Sequence, residues 1–130
     1  MKNIRILLID DEKGFSSVLA KRLTRRGVEV VTAEDGAEGL LKLDTEIYQV
    51  VVLDMKMPGI NGLQVLKTIK HRHPSVEVIL LTGNADMDSA LSAMNAGAFD
   101  FMLKPANTEI LTHRIYDAAK NGLITMDKTG

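Results

Sequence analysis

Two kinds of apolar segment alternate along this chain. The first kind is short and continuous: Ile6-Leu7-Leu8-Ile9, Val28 with Val30-Val31, Val50-Val51-Val52-Leu53, Val76 with Val78-Ile79-Leu80-Leu81, and Phe99 to Leu103. Runs of this length, rich in β-branched residues, predict strands buried on both faces. The second kind has apolar residues at helical spacing: Phe15, Val18, Leu19 and Leu23; Ala37, Leu40 and Leu41; Leu63, Leu66 and Ile69; Ala90, Leu91 and Met94; Leu111, Ile115, Ala118 and Ala119. Each set predicts an amphipathic helix facing the strands, and on the third helix Lys67 and Lys70 fall on the wet side.

Punctuation between the segments agrees with this division. Arg25-Arg26-Gly27 supplies a cationic last turn and a glycine stop, Pro74 ends the third helix, and Gly97 ends the fourth. Asp86 and Asn107 stand where the fourth and fifth helices need N-caps. Five strands alternating with five helices, each connection long enough for a crossover, predict a parallel sheet covered on both sides. With right-handed crossovers the expected fold is a flavodoxin-like (βα)5 three-layer sandwich with its five-stranded sheet in the order 2-1-3-4-5. One domain is expected over residues 1–120, with 121–130 as a C-terminal tail or linker.

Composition narrows the partners. Sixteen Lys and Arg against seventeen Asp and Glu leave a net charge of −1, so the whole chain makes no case for direct binding to nucleic acid or to an anionic membrane. The absence of cysteine excludes disulfides, thiolate metal sites and thiol nucleophiles. With no signal-peptide pattern at Met1 to Arg5 and no spanning segment, the expected compartment is the cytoplasm.

The strand ends carry the chemistry. In an open parallel sheet the ligand site lies beyond the carboxyl ends of the strands, and there this chain places Asp10-Asp11, Asp54, Thr82 and Lys104. Three gathered carboxylates repel one another and call for altered protonation or a bound cation. Oxygen ligands without His or Cys favour Mg²⁺, an ion that commonly works with phosphoryl groups. Asp54 is then the candidate nucleophile toward a phosphoryl donor, with Thr82 donating to one phosphoryl oxygen, Lys104 pairing with another and the metal taking a third. Any one of these residues alone reads more simply as a cap or a solvated side chain. Their coincidence at separate strand ends favours a site. His71, His73 and His113 read as surface residues, the methionines as packing, and Lys21, Arg22, Arg25 and Arg26 as a solvated helix face.

Taken together, Leu8-Ile9-Asp10-Asp11-Glu12, Leu53-Asp54-Met55-Lys56-Met57-Pro58-Gly59-Ile60-Asn61-Gly62, Leu81-Thr82-Gly83 and Lys104-Pro105 resemble the receiver domain of two-component response regulators, over Ile4 to about Lys120. The resemblance implies Asp54 as phosphoacceptor, and Asp10, Asp11, Asp54 and the backbone carbonyl of Lys56 as the Mg²⁺ ligands. It further implies Thr82 and Phe101 as a switch pair, Lys104 as the phosphate-pairing lysine, and a cis Lys104-Pro105 peptide. The implied partners are a sensor histidine kinase or phosphotransfer protein and a downstream output domain or target, with a phosphorylation-dependent homodimer as a further possibility. Switching would repack the face of the fourth helix, fifth strand and fifth helix. Lys56 and Asn84, each two residues past a site residue, are expected to influence the lifetime of the phosphorylated state. Thr82-Gly83-Asn84-Ala85-Asp86 with Gly97-Ala98-Phe99-Asp100-Phe101 most resembles receivers of enhancer-binding activators. Two rival readings are a receiver-like binding module that is never phosphorylated and a small Mg²⁺-dependent phosphatase. The second would need another acid beside the nucleophile as general acid/base, and the residues after Asp54 are Met55 and Lys56.

Overall fold

The computed structural model describes residues 3–57, 60–83 and 87–129, with side chains at 3–55, 61–83 and 87–123. The expected Pro58-Gly59 turn, the Asn84 site and the Asp86 cap lie outside the described residues.

Five strands form one parallel sheet: β1 (Ile4–Ile9), β2 (Val28–Ala33), β3 (Val50–Asp54), β4 (Glu77–Thr82) and β5 (Asp100–Leu103). Their order is β2-β1-β3-β4-β5, the expected one. Between them run α1 (Lys13–Arg25), α2 (Gly36–Thr45), α3 (Gly62–Arg72) and α4 (Met87–Asn95), and α5 (Thr108–Thr129) closes the chain. A pair of two-residue strands, Lys56–Met57 and Ile60–Asn61, folds back antiparallel just beyond β3.

Strand periodicity divides the core in two. Leu7, Ile9, Val51, Leu53, Val78 and Leu80 point to the side covered by α2, α3 and α4, where they meet Leu43, Leu66, Ile69 and Ala93. Their neighbours Ile6, Leu8, Val50, Val52, Ile79 and Leu81 point to the other side, against Leu19 and Leu23 of α1 and Leu111, Ile115, Ala118 and Ala119 of α5. Alternate residues of one strand serve opposite layers, so a strand in the middle of the sandwich must be apolar throughout, and all five residues of β3 are buried. Each fully buried Leu or Ile contributes about 1.5–3 kcal/mol.

Local chemistry fixes the ends. Arg26 caps α1, and Gly27 takes a positive φ of 88°; Gly97, at φ 113°, does the same after α4. Asn61 Oδ1 accepts from Leu63 N at 3.0 Å and Asn107 Oδ1 from Ile110 N at 3.0 Å, so both cap the helices that follow them.

Several expectations need correction. Val18, Leu41 and Leu91 are 49%, 66% and 52% exposed, so they lie outside the buried stripes of their helices, whose inner contacts fall to Ser16, Gly39, Leu43 and Ala93 instead. Lys70 is not on a wet face. Its ammonium donates to Pro74 O at 3.0 Å, Val76 O at 2.9 Å and Glu77 Oε1 at 2.6 Å, which uses all three of its protons at the foot of β4. Finally, α5 continues through the segment expected to be a tail, as far as Thr129. Asn121 donates to Glu77 there, and Gly122 lies so close to the body that an added Cβ would stand 2.4 Å from Ser75 O.

Candidate functional site

Parallel register brings the ends of β1, β3, β4 and β5 to one rim. Asp10 is held there by its backbone, donating to Ala33 O at 3.0 Å, while Met55 N donates to Leu81 O at 3.0 Å just past Asp54. Lys104 N donates to Thr82 O at 2.9 Å, which ties the end of β5 to the end of β4. The expected cis peptide joins Lys104 to Pro105.

Asp10 and Asp54 are 2% and 1% exposed, and Thr82 is fully buried. Such burial is unusual for carboxylates, which are rarely withdrawn from water unless paired or bound to a metal. Lys104 supplies part of the compensation. Its Nζ donates to Asp54 Oδ2 at 3.1 Å and to Glu12 Oε1 at 2.9 Å, and it also lies 3.1 Å from Asp10 Oδ2 as an ion pair without hydrogen-bond geometry. The other oxygen of Asp10 accepts from Glu12 N at 2.8 Å. Phe15 places its ring under the ammonium, 4.4 Å from centroid to Nζ. Partial burial works to lower the pKa of Lys104, but the Glu12 hydrogen bond and the charges of Asp54 and Asp10 outweigh it and hold the pKa above the ordinary lysine value.

Three acids against one lysine leave this corner with excess negative charge. Asp10, Glu12 and Asp54 each offer a carboxylate oxygen, all within 4.8 Å of one another. An all-oxygen set of that spacing fits a hard divalent cation such as Mg²⁺. In the sequence Glu12 is only part of the acidic run after β1; its backbone N–H closes a turn onto Asp10 Oδ1, and its side chain joins Asp10 and Asp54. Asp11 is exposed and stands outside this group. The backbone of Lys56 opens the small antiparallel pair directly after Asp54 and Met55.

Thr82 donates its hydroxyl to Gly83 O at 3.2 Å. Phe101 is half-buried and packs on the α2-α3-α4 side of the core, in register with Leu80 of β4. Both expected switch residues therefore flank the same pair of strands.

Among the described residues, then, the domain is a doubly wound α/β sandwich with an acidic corner and one lysine at the carboxyl rim of its sheet, and comparison with known proteins gives it a lineage. The profile of the response regulator receiver domain matches residues 6–116, and the chain belongs to that family. It is 36% identical over 127 residues, or 98% of its length, to the transcriptional regulatory protein GlrR of Escherichia coli K12, and 43% identical over 98 residues, 75% of its length, to the DNA-binding transcriptional regulator NtrC of Klebsiella pneumoniae. These alignments span 29% and 21% of the two relatives, so the chain corresponds to less than a third of either. Among solved structures, a receiver domain protein from Clostridium thermocellum superposes with a TM-score of 0.88 at 36% identity, covering 94% of this chain and 98% of that one. NtrX from Brucella abortus superposes at 0.89 and 29% identity, covering 99% of this chain and 29% of that one.

Proposed function

We propose that this receiver domain accepts a phosphoryl group on Asp54 from a sensor histidine kinase or phosphotransfer protein, in a Mg²⁺-dependent reaction. The observation that carries the reading is the Asp54 carboxylate, 1% exposed at the end of β3, with Lys104 Nζ at 3.1 Å and two further carboxylates within 4.8 Å. An Asp54 oxygen forms the new O–P bond while the donor's P–N bond breaks, and the imidazole keeps the electron pair and takes a proton from solvent. Asp10, Glu12 and Asp54, with Asp11 and the Lys56 carbonyl as the further ligands the family resemblance implies, would hold Mg²⁺, which would supply charge stabilisation for the phosphoryl oxygens. Lys104 exchanges a carboxylate oxygen for a phosphoryl oxygen without moving far. Thr82 turns its hydroxyl from Gly83 O toward the new group, and Phe101 follows into the space released.

The output of this switch is the face of α4, β5 and α5, offered to an output domain, a target protein or a second phosphorylated copy. The proposed exchange of phosphate with a kinase domain fits a cytoplasmic location. No described helix is long and apolar enough to cross a membrane. Mass spectrometry after incubation with Mg²⁺ and acetyl phosphate tests the proposal: one acid-stable, base-labile phosphoryl group is expected, absent in Asp54→Asn. No adduct with any donor would instead make this a binding module of receiver fold, and sustained phosphate release from many substrates would make it a phosphatase.

A further inference from the structure

Arginine usage in the structure is uneven. Arg5 pairs with Glu29 and Glu46, Arg72 with Asp44, and Arg114 with Asp100. The remaining three, Arg22, Arg25 and Arg26, have neither an ion pair nor a side-chain hydrogen bond among the described residues. They are also the three that share one hollow, of about 480 Å³, lined further by Asn107, Thr108 and Glu109. Helix α1 holds no acid at all, in a chain whose net charge is −1.

We propose that this hollow is an oxyanion site that takes the di- or polyphosphate group of a soluble small molecule. Three exposed arginines line this one hollow with no acid paired to them among the described residues, and an anion with several oxygens would supply the counter-charge. Planar guanidinium forks suit phosphate oxygens bidentately, which a lysine cluster of equal charge would not. The floor adds donors: Thr108 offers its hydroxyl, and the first amides of α5, those of Thr108 and Glu109, have no helical acceptor of their own. Glu109 is the one acid on the wall and stands farther than 4.0 Å from each guanidinium. It selects for a ligand whose charge is concentrated on the arginine side and against an extended polyanion. Because α5 also forms part of the switching face, occupancy would bias how that helix seats on α1.

Nuclear magnetic resonance titration with inorganic pyrophosphate, at about 0.15 M salt and with EDTA present, tests the site. Expected are saturable shifts of the Thr108 and Glu109 amides and of the Nε–H signals of Arg22, Arg25 and Arg26. Arg25→Gln should weaken binding roughly tenfold, while Lys67→Gln, on the exposed surface of α3, should not change it. ADP binding at least as tightly as pyrophosphate would identify a nucleotide as the source, and weaker binding a simpler polyphosphate. Shifts that fail to saturate, equal loss in Lys67→Gln, or tighter binding to duplex DNA than to pyrophosphate would overturn the proposal. None of these outcomes depends on phosphorylation of Asp54.

Discussion

Lys104 is the residue on which the acidic corner depends. It is the only described cation among Asp10, Glu12 and Asp54, and its side chain remains 19% exposed while the carboxylates of Asp10 and Asp54 are nearly sealed. Replacing it by methionine removes this cation from two buried carboxylates, so Lys104→Met should destabilise the domain by about 1–3 kcal/mol in EDTA. Calorimetry should show the loss reversed in large part by Mg²⁺. Asp54→Asn acts in the opposite sense. It removes one of three mutually repelling charges while its side-chain oxygen can still accept from Lys104, so its melting temperature in EDTA should exceed that of the parent by about 3–5 °C, a gain that saturating Mg²⁺ erases.

The same lysine sets a pH dependence. Its pKa in the folded state lies above the ordinary value of 10.5. A group of this kind binds its proton more tightly when folded, so its contribution is complete below 10.5 and declines as pH rises through the raised value. Denaturant midpoints measured between pH 9 and the alkaline limit should therefore fall less steeply in Lys104→Met than in the parent.

At the scale of elements, α5 is held at its start and past its middle by different means. Its N-terminus is capped by Asn107, and its inner face is an apolar row, as the sequence predicts. Past its middle the helix depends on a polar clamp: Lys70 of α3 and Asn121 of α5 meet on Glu77, which is 5% exposed at the foot of β4. Gly122 permits that approach, since a Cβ there would collide with the backbone oxygen of Ser75, which has little freedom to retreat. Gly122→Ala should cost about 1–3 kcal/mol and raise hydrogen exchange selectively at residues 119–123, with the acidic corner unaffected. Glu77 and Thr82 open and close the same strand, so β4 connects the clamp to the acidic corner.

At the scale of the molecule, each face of the sheet closes its own core, and the functional groups stand on the seam between them. Mg²⁺ held as proposed would bind only the folded arrangement, because the unfolded chain cannot keep residues 10, 12 and 54 together, so the melting temperature should climb with the logarithm of Mg²⁺ concentration. A flat response would remove the metal from the reading of this corner. Phosphorylation, if Thr82 and Phe101 respond as proposed, should change exchange protection in α4, β5 and the start of α5 while leaving α2 alone.

The sequence by itself determined the five parallel strands and five helices, the strand order and the rim to which Asp10, Asp54, Thr82 and Lys104 belong, but not the two-residue antiparallel pair just beyond β3. Buried parallel strands must be apolar on both faces, and polar residues can then appear only where the strands end. Tertiary structure decided the rest. It turned Glu12 rather than Asp11 toward Asp54, because a side chain just past a strand is aimed by the backbone turn, here the Glu12 N–H to Asp10 bond. It drew Lys70 from an apparent wet face onto Glu77, and it left Val18, Leu41 and Leu91 outside the core. Helical spacing records which residues share a face but not how wide the neighbouring element is that covers it. It also gathered the three unpaired arginines into one hollow, since only the packing of α1 against α5 brings the residues around 22–26 and 107–109 together.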